Sequence, residues 1–288
     1  MAENDALGVI GGSGLYEIEE LTDVAEQRVE TPFGEPSDAF VTGRLGEQRL
    51  VFLPRHGRGH RIAPHEINYR ANLYGMKKLG VTRLLAISAV GSMKEGIAPG
   101  DFVIVDQFID RTTGRKSTFF EDGIVGHVGF ADPVCQALAQ VAVGAARAAG
   151  VTVHEGGTYV CINGPQFSTR AESHLYRSWG VDVIGMTNVT EAKVAREAEI
   201  CFATVALATD FDCWHEGEGD VDVKSVLAIL SQNVENARKV VVEVARSLPA
   251  VDPGCPCQQA LRHAILAAPT GVTEGARTRL ALLLGKYR

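Results

Sequence analysis

Cys201-Phe-Ala-Thr-Val-Ala-Leu-Ala-Thr209 is apolar at almost every position, the pattern of a strand buried on both faces inside a sheet. Such a strand is covered by helices, and its neighbours supply them: Val189 to Ala198 before it and Val221 to Arg246 after it both read as amphipathic helices. Outward from there, Leu7 to Ile10, Leu50 to Leu53, Leu84 to Ser88, Phe102 to Asp106, Thr158 to Ile162 and Val181 to Ile184 read as further strands. Ile67 to Leu79, Pro133 to Ala149 and Arg170 to Trp179 complete the helices. Thr169-Arg-Ala-Glu172 and Asn188-Val-Thr-Glu191 have capping-box spacing, which makes Asn188 an expected N-cap. The alternation predicts an α/β fold with a mixed β-sheet flanked by helices on both faces.

The length of 288 residues is a prior of about two domains, but there is one composition break, Val251-Asp-Pro-Gly-Cys-Pro-Cys257. The reading is one α/β domain over 1–250 and a C-terminal helical extension over 251–288, packed on the same domain or on a neighbouring subunit. With 28 Lys+Arg against 35 Asp+Glu the net charge is −7, and no long run of like charge occurs. Nucleic acid and anionic membrane are therefore not expected partners. No apolar stretch approaches the roughly 20 residues that span a bilayer, and the acidic start reaches a strand by Leu7, so neither a membrane span nor an export signal is expected. The expected compartment is the cytoplasm, with the six cysteines reduced. Cys255-Pro-Cys257 is the one close pair; with His263 the only candidate nearby, no metal is expected.

Several strand ends carry chemistry. Gly11-Gly-Ser-Gly14 follows a strand, so its backbone N–H groups can converge on an anion with the Ser13 hydroxyl. It departs from the dinucleotide fingerprint at Glu17, where a third glycine would stand, which argues against a nicotinamide cofactor. Arg55-His-Gly-Arg-Gly-His-Arg61 concentrates three arginines and two histidines in an otherwise acidic chain, a phosphate-binding composition. Gly57 and Gly59 oppose the helix that would make His56 and His60 a metal pair. Ser88 stands at a strand end, where open α/β sheets bind ligands, and Met186-Thr187-Asn188 at another. Asp210 and Asp212, at i and i+2 on a segment read as extended, are expected to share one side, where mutual repulsion and burial would raise one pKa and create a general acid.

Taken together, Gly11–Gly14, Thr31-Pro-Phe-Gly-Glu-Pro-Ser-Asp38, Arg55-His-Gly-Arg58, Asp106-Gln-Phe-Ile-Asp-Arg-Thr112, Gly164-Pro-Gln-Phe-Ser-Thr-Arg-Ala-Glu172, Met186-Thr187 and Thr209-Asp-Phe-Asp-Cys-Trp214 resemble the trimeric purine nucleoside phosphorylase family, in its branch acting on 5'-methylthioadenosine. The resemblance runs from Gly8 to about Ala245. It implies a single-domain homotrimer (or a dimer of trimers) and a pentosyltransferase of purine and methionine salvage. Phosphate would be a co-substrate, with no cofactor and no metal. By resemblance, Ser13, Arg55, His56, Ser88 and Ala89 would hold phosphate, and Met186 and Thr187 the ribose. Phe167, Thr209, Asp210 and Asp212 would form the purine site, the two aspartates being catalytic. Val223, Val226 and Leu227 would line the 5'-substituent pocket, with His127 entering from a neighbouring subunit. The alternatives are a phosphorylase of methylthioinosine or ordinary purine nucleosides, and a non-catalytic phosphate or nucleotide binder. Gly185 stands where the branch often has Asn.

Overall fold

A single long strand, Val81–Ser92, is the axis of the molecule, and the way its two edges are occupied creates the cleft. The structure is a computed structural model and describes residues 5–12, 14–215, 223–267 and 272–287. Its strands begin with β1 (Ala6–Gly11), β2 (Thr22–Gln27), β3 (Phe40–Leu45), β4 (Gln48–Pro54), β5 (Val81–Ser92), β6 (Phe102–Val105) and β7 (Gln107–Asp110). They continue with β8 (Ile124–Gly126), β9 (Val153–Glu155), β10 (Thr158–Cys161), β11 (Val183–Gly185), β12 (Cys201–Asp210) and β13 (Ile265–Ala267). The helices are α1 (Tyr69–Lys78), α2 (Gln136–Ala148), α3 (Arg170–Ser178), α4 (Asn188–Glu197), α5 (Val223–Ser247), α6 (Glu274–Arg279) and α7 (Ala281–Leu284). Every strand and helix expected from the sequence is present.

Eleven strands form one mixed sheet, along β2-β3-β4-β1-β5-β11-β10-β7, with β12 joining β5 to β6 and β6 pairing with β9. Strand β12 runs parallel to β5 from Arg83 to Gly91 and so occupies one edge continuously. On the other edge β1 pairs only from Val81 to Ala86, and β11 joins antiparallel at Gly91 and Ser92. Residues Ile87 to Val90 therefore face a gap between two neighbours that diverge.

Alternation along β5 sends Leu85 and Ile87 to one face and Leu84 and Ala86 to the other. The first face packs on α2 and α5 through Ala142, Val143, Val240, Val241 and Val244. The second packs on α1 and α4, and there the C-terminal segment contributes Leu261, Leu280 and Leu283, all buried. That segment contains a strand as well as helices: β13 pairs with β8. It is also fastened by Glu199, which accepts from the Leu261 N–H at 3.0 Å and from the Tyr287 hydroxyl, and pairs with Lys286 at 2.6 Å. Among the described residues no helix is long and apolar enough to cross a membrane.

Candidate active site

Backbone parity in β5 fixes which groups enter the gap. The Ile87 carbonyl accepts from Arg55 Nη1 at 2.9 Å on the β1 side, and the Val90 carbonyl accepts from Thr209 Oγ1 at 3.2 Å on the β12 side. Because successive peptide groups point to opposite edges, the Ala89 N–H points into the gap with the Ile87 carbonyl. Ala89 is exposed in a strand whose neighbouring residues Ser88 and Val90 are buried.

Arg55 lies beneath this gap, 2% exposed. Its N–H donates to the Gly11 carbonyl at 2.8 Å, which places the side chain under β1. Glu191, fully buried on the first turn of α4, accepts from Arg55 Nε at 2.5 Å and Nη2 at 2.9 Å. Burial works to lower the pKa of the guanidinium, but the charge and hydrogen bonds of Glu191 leave it raised, so Arg55 is a fixed cation. Glu191 also accepts from Asn188 Nδ2 at 2.9 Å, and Asn188 Oδ1 accepts from Ser88 Oγ at 2.8 Å. Ser88, Asn188, Glu191 and Arg55 thus form one buried network. This corrects the expected capping role of Asn188: Thr187 is the N-cap of α4, and Asn188 is the first helical residue because its amide is committed to Ser88 and Glu191.

His56 donates Nδ1–H to the Ile62 carbonyl at 2.8 Å and stacks on His60 with centroids 4.1 Å apart. Burial, followed by the charge of Arg55, pushes its pKa down to about 4. A neutral ring with Nδ1–H engaged leaves Nε2 as an acceptor at neutral pH. The loop is otherwise not the converging cation cluster expected from sequence. Arg58 pairs with Glu26 at 2.7 Å, and Arg61 donates to the Ser37 carbonyl at 2.6 Å, so both tie the loop to its surroundings. Ser13 lies outside the described residues. Its neighbour Gly14 has φ +105 and its carbonyl accepts from Arg238 Nε of α5 at 2.8 Å, so the loop after β1 is pinned to a helix.

The carboxylates stand at the far end of β12, where Asp210 is in register with Gly91. A Cβ on Gly91 would lie 3.0 Å from Asp210 Oδ1 and 3.3 Å from Asp212 Cβ, so a larger residue there would crowd the pair. The two do not project from one side of an extended segment. Asp212 adopts φ +52 and begins a 3-10 turn, Asp212–Trp214, and its N–H donates to Asp210 Oδ1 at 2.8 Å. Asp212 is buried and accepts from Ser168 Oγ at 3.0 Å and Ser173 Oγ at 2.5 Å, while Asp210 is half-exposed and also accepts from Thr209 Oγ1 at 2.8 Å. Ser168 and Ser173 are placed by α3, whose N-terminus carries the expected Thr169–Glu172 capping box. Trp214 Nε1 donates to the Ser92 carbonyl at 2.8 Å and locks the turn onto the end of β5.

Phe167, 48% exposed, precedes Ser168. Met186 packs over Gly164, where a Cβ would fall 2.4 Å from its sulfur; Gly164 has φ +63. At Gly185 a Cβ would meet the Tyr159 hydroxyl at 1.9 Å, so Tyr159 fills the space a side chain would need. The side chain of His127 is exposed beside β13, its backbone N–H donating to the Ala264 carbonyl at 2.8 Å. Val223, Val226 and Leu227 fall on the first turns of α5, but their side chains lie outside the described residues. Sequence reasoning did not find Glu191 as the partner of Arg55, nor Ser168, Ser173 and Tyr159; separations such as the 136 residues between Arg55 and Glu191 leave no local signal.

From Ser88 to Gly91 is three strand residues, about 10 Å, so the gap and the carboxylates lie along one short stretch of β5. A family model described as the phosphorylase superfamily matches residues 6–246. The chain belongs to the phosphorylase superfamily. Within this superfamily it is 59% identical over 282 residues to the S-methyl-5'-thioadenosine phosphorylase of Geobacter sulfurreducens, covering 98% of each chain. It is 55% identical to the enzyme of the same name from Koribacter versatilis, covering 98% of this chain and 96% of that one. Among solved structures, a methylthioadenosine phosphorylase from an antarctic soil metagenomic library superposes with TM-score 0.92 at 47% identity, covering 98% and 99% of the two chains. The methylthioadenosine phosphorylase of Schistosoma mansoni in complex with adenine gives TM-score 0.81 at 36% identity, covering 97% and 98%.

Proposed function

We propose that this phosphorylase-superfamily protein carries out reversible phosphorolysis of 5'-methylthioadenosine, giving adenine and 5-methylthioribose 1-phosphate. The observation that carries the reading is the placement of anion donors and a carboxylate pair on adjoining strands, three residues apart along β5. Phosphate occupies the gap beside β5, held by the Ala89 N–H, Ser88, Arg55 and Ser13, with the neutral His56 accepting at Nε2 a hydrogen bond from its remaining hydroxyl. Its oxygen attacks C1' from the face opposite the base, and the configuration inverts. Positive charge developing on the sugar is stabilised by the phosphate, and negative charge on the purine by a proton delivered at N7.

Asp210, the more accessible carboxylate, is the group for N7. Asp212 is held by two serines and keeps lone pairs for a 6-amino group, a preference for adenine over 6-oxopurines. Phe167 stacks on the base, Thr209 orients Asp210, and Met186 and Thr187 take the ribose. Val223, Val226 and Leu227 give the 5'-substituent an apolar wall that favours a methylthio group over a hydroxyl. His127, exposed beside β13, reaches the pocket of a neighbour in a homotrimer.

The test is base release from methylthioadenosine, methylthioinosine, adenosine and inosine, each with and without phosphate. Phosphate-dependent release fastest from methylthioadenosine is expected. A preference for either 6-oxo substrate overturns the adenine reading, and binding without release overturns the enzyme.

A further inference from the structure

Four cysteines meet far from the cleft. Cys135 is the N-cap of α2, Cys201 opens β12, and Cys255 and Cys257 lie in the segment that follows α5. Their sulfur atoms all lie within 4.8 Å of one another, with Cys201 3.5 Å and Cys135 3.9 Å from Cys255. His263, the ligand considered from sequence, is exposed and not part of this group; the missing pair comes from residues 120 and 54 positions before Cys255.

The spacing separates a disulfide from unbonded sulfurs and matches a metal site. Disulfide sulfurs are about 2.0 Å apart, whereas four sulfurs at about 2.3 Å from a tetrahedral zinc ion are separated by about 3.8 Å. The distances of 3.5 and 3.9 Å fit the edges of such a tetrahedron. Three of the four residues are buried and Cys255 is partly so, which leaves one side for an ion to enter.

We propose that Cys135, Cys201, Cys255 and Cys257 bind one Zn²⁺ in a structural site of four thiolates. The ion displaces four thiol protons to solvent, four Zn–S bonds form, and no electrons are transferred. All ligands come from the protein, so the ion has no position open to substrate. Cys201 and Asp210 are nine residues apart at opposite ends of β12, up to about 30 Å, which separates the metal from the cleft. What the ion would do is join three distant segments: the start of α2, the base of β12 and the entrance to the C-terminal segment. Zinc would then contribute to folding directly, because the unfolded chain has no preformed site.

The experiment uses full-length, untagged protein purified without chelator, with metals measured by elemental analysis and thiols counted by alkylation after denaturation with and without chelator. About one zinc per chain is expected, with all six cysteines alkylated once chelator is added. Cys201→Ser and Cys257→Ser are each expected to fall below about a tenth of a zinc per chain, while phosphate-dependent kcat stays within about twofold. Should those variants not fold, the parent reconstituted with Co²⁺ decides, since a tetrahedral thiolate site gives strong sulfur-to-cobalt charge-transfer absorption. A metal-free parent with these cysteines as disulfides or as freely alkylated native thiols overturns the proposal, and so does iron in place of zinc. Because the readout is metal content, failure here is separable from failure of the phosphorylase reading.

Discussion

Glu191→Gln tests the buried network more directly than any change in the cleft. Arg55 and Glu191 are 2% and 0% exposed, and their bidentate contacts are 2.5 and 2.9 Å long. The substitution keeps shape and one acceptor oxygen but removes the counter-charge and turns an NH₂ group towards the guanidinium or Asn188. A buried ion pair that loses one partner costs about 3–5 kcal/mol. At about 2 °C per kcal/mol for a chain of this size, the midpoint of thermal unfolding is expected to fall by about 6–10 °C. Inorganic phosphate at 100 times its Kd would return at most about 2.7 kcal/mol. The double variant Arg55→Met/Glu191→Leu is expected to be more stable than Glu191→Gln, since no charge is then left buried. Scanning calorimetry on the parent and both variants, with and without phosphate, is the assay. A loss under about 1 kcal/mol in Glu191→Gln, or a double variant less stable than the single one, would refute Glu191 as the counter-ion.

Asp210→Ala is expected to lower kcat for methylthioadenosine by at least about a hundredfold, the usual scale for a general acid; an unchanged rate of phosphate-dependent adenine release would move the role elsewhere. Glu197 has a carboxyl pushed up to about 7 by burial, against the hydrogen bonds it accepts from Phe119 N–H and Thr118 Oγ1, both 2.7 Å. The folded state binds its proton more tightly than the unfolded state, so this site's contribution is lost as pH rises from about 4.5 through about 7, by on the order of 3 kcal/mol. Glu197→Gln should remove that slope, and parallel stability curves for parent and variant between pH 4.5 and 7.5 would contradict it. Gly185→Ala would set a methyl 1.9 Å from the Tyr159 hydroxyl and is expected to cost about 1–3 kcal/mol by overpacking, measured as a lower melting midpoint. A melt superimposable on the parent would show that Tyr159 has room to move.

The parts of the fold legible in the sequence are those whose local pattern matches their environment. Strands β1, β5 and β12 are buried on both faces and read as continuous apolar runs. By contrast β2, Thr22–Gln27, is exposed along most of its length and is a strand only because β3 offers it an edge, a fact no property of Thr-Asp-Val-Ala-Glu-Gln records. The site divides in the same way. Arg55 and Asp210 stand at strand ends and are visible as such, whereas Ser88, read as a strand end, lies inside β5, which runs on to Ser92. The partner that makes Arg55 a fixed cation is on α4, and the serines that hold Asp212 belong to the approach to α3 and its first turns. The extended reading of Asp210–Asp212 failed because Asp212 takes a left-handed conformation, stabilised by its own N–H bonding to Asp210, which strand periodicity does not anticipate. The cysteines illustrate the limit most plainly: Cys255-Pro-Cys257 shows in sequence only as one close pair, read there without a metal, and only tertiary structure brings Cys135 and Cys201 to it.

The divided edge of β5 has a consequence for how this chain matures. The gap is bounded on one side by β1, Ala6–Gly11, and on the other by β11, near residue 184. Neither boundary alone encloses an anion. A nascent chain that has only paired β1 with β5 presents an ordinary sheet edge, and pocket formation waits for closure of a loop of roughly a hundred residues between β5 and β11, among the slower kinds of event in folding. On the proposed placement of phosphate in this gap, its binding therefore reports on the pairing of both β1 and β11 with β5 rather than on the order of any local segment.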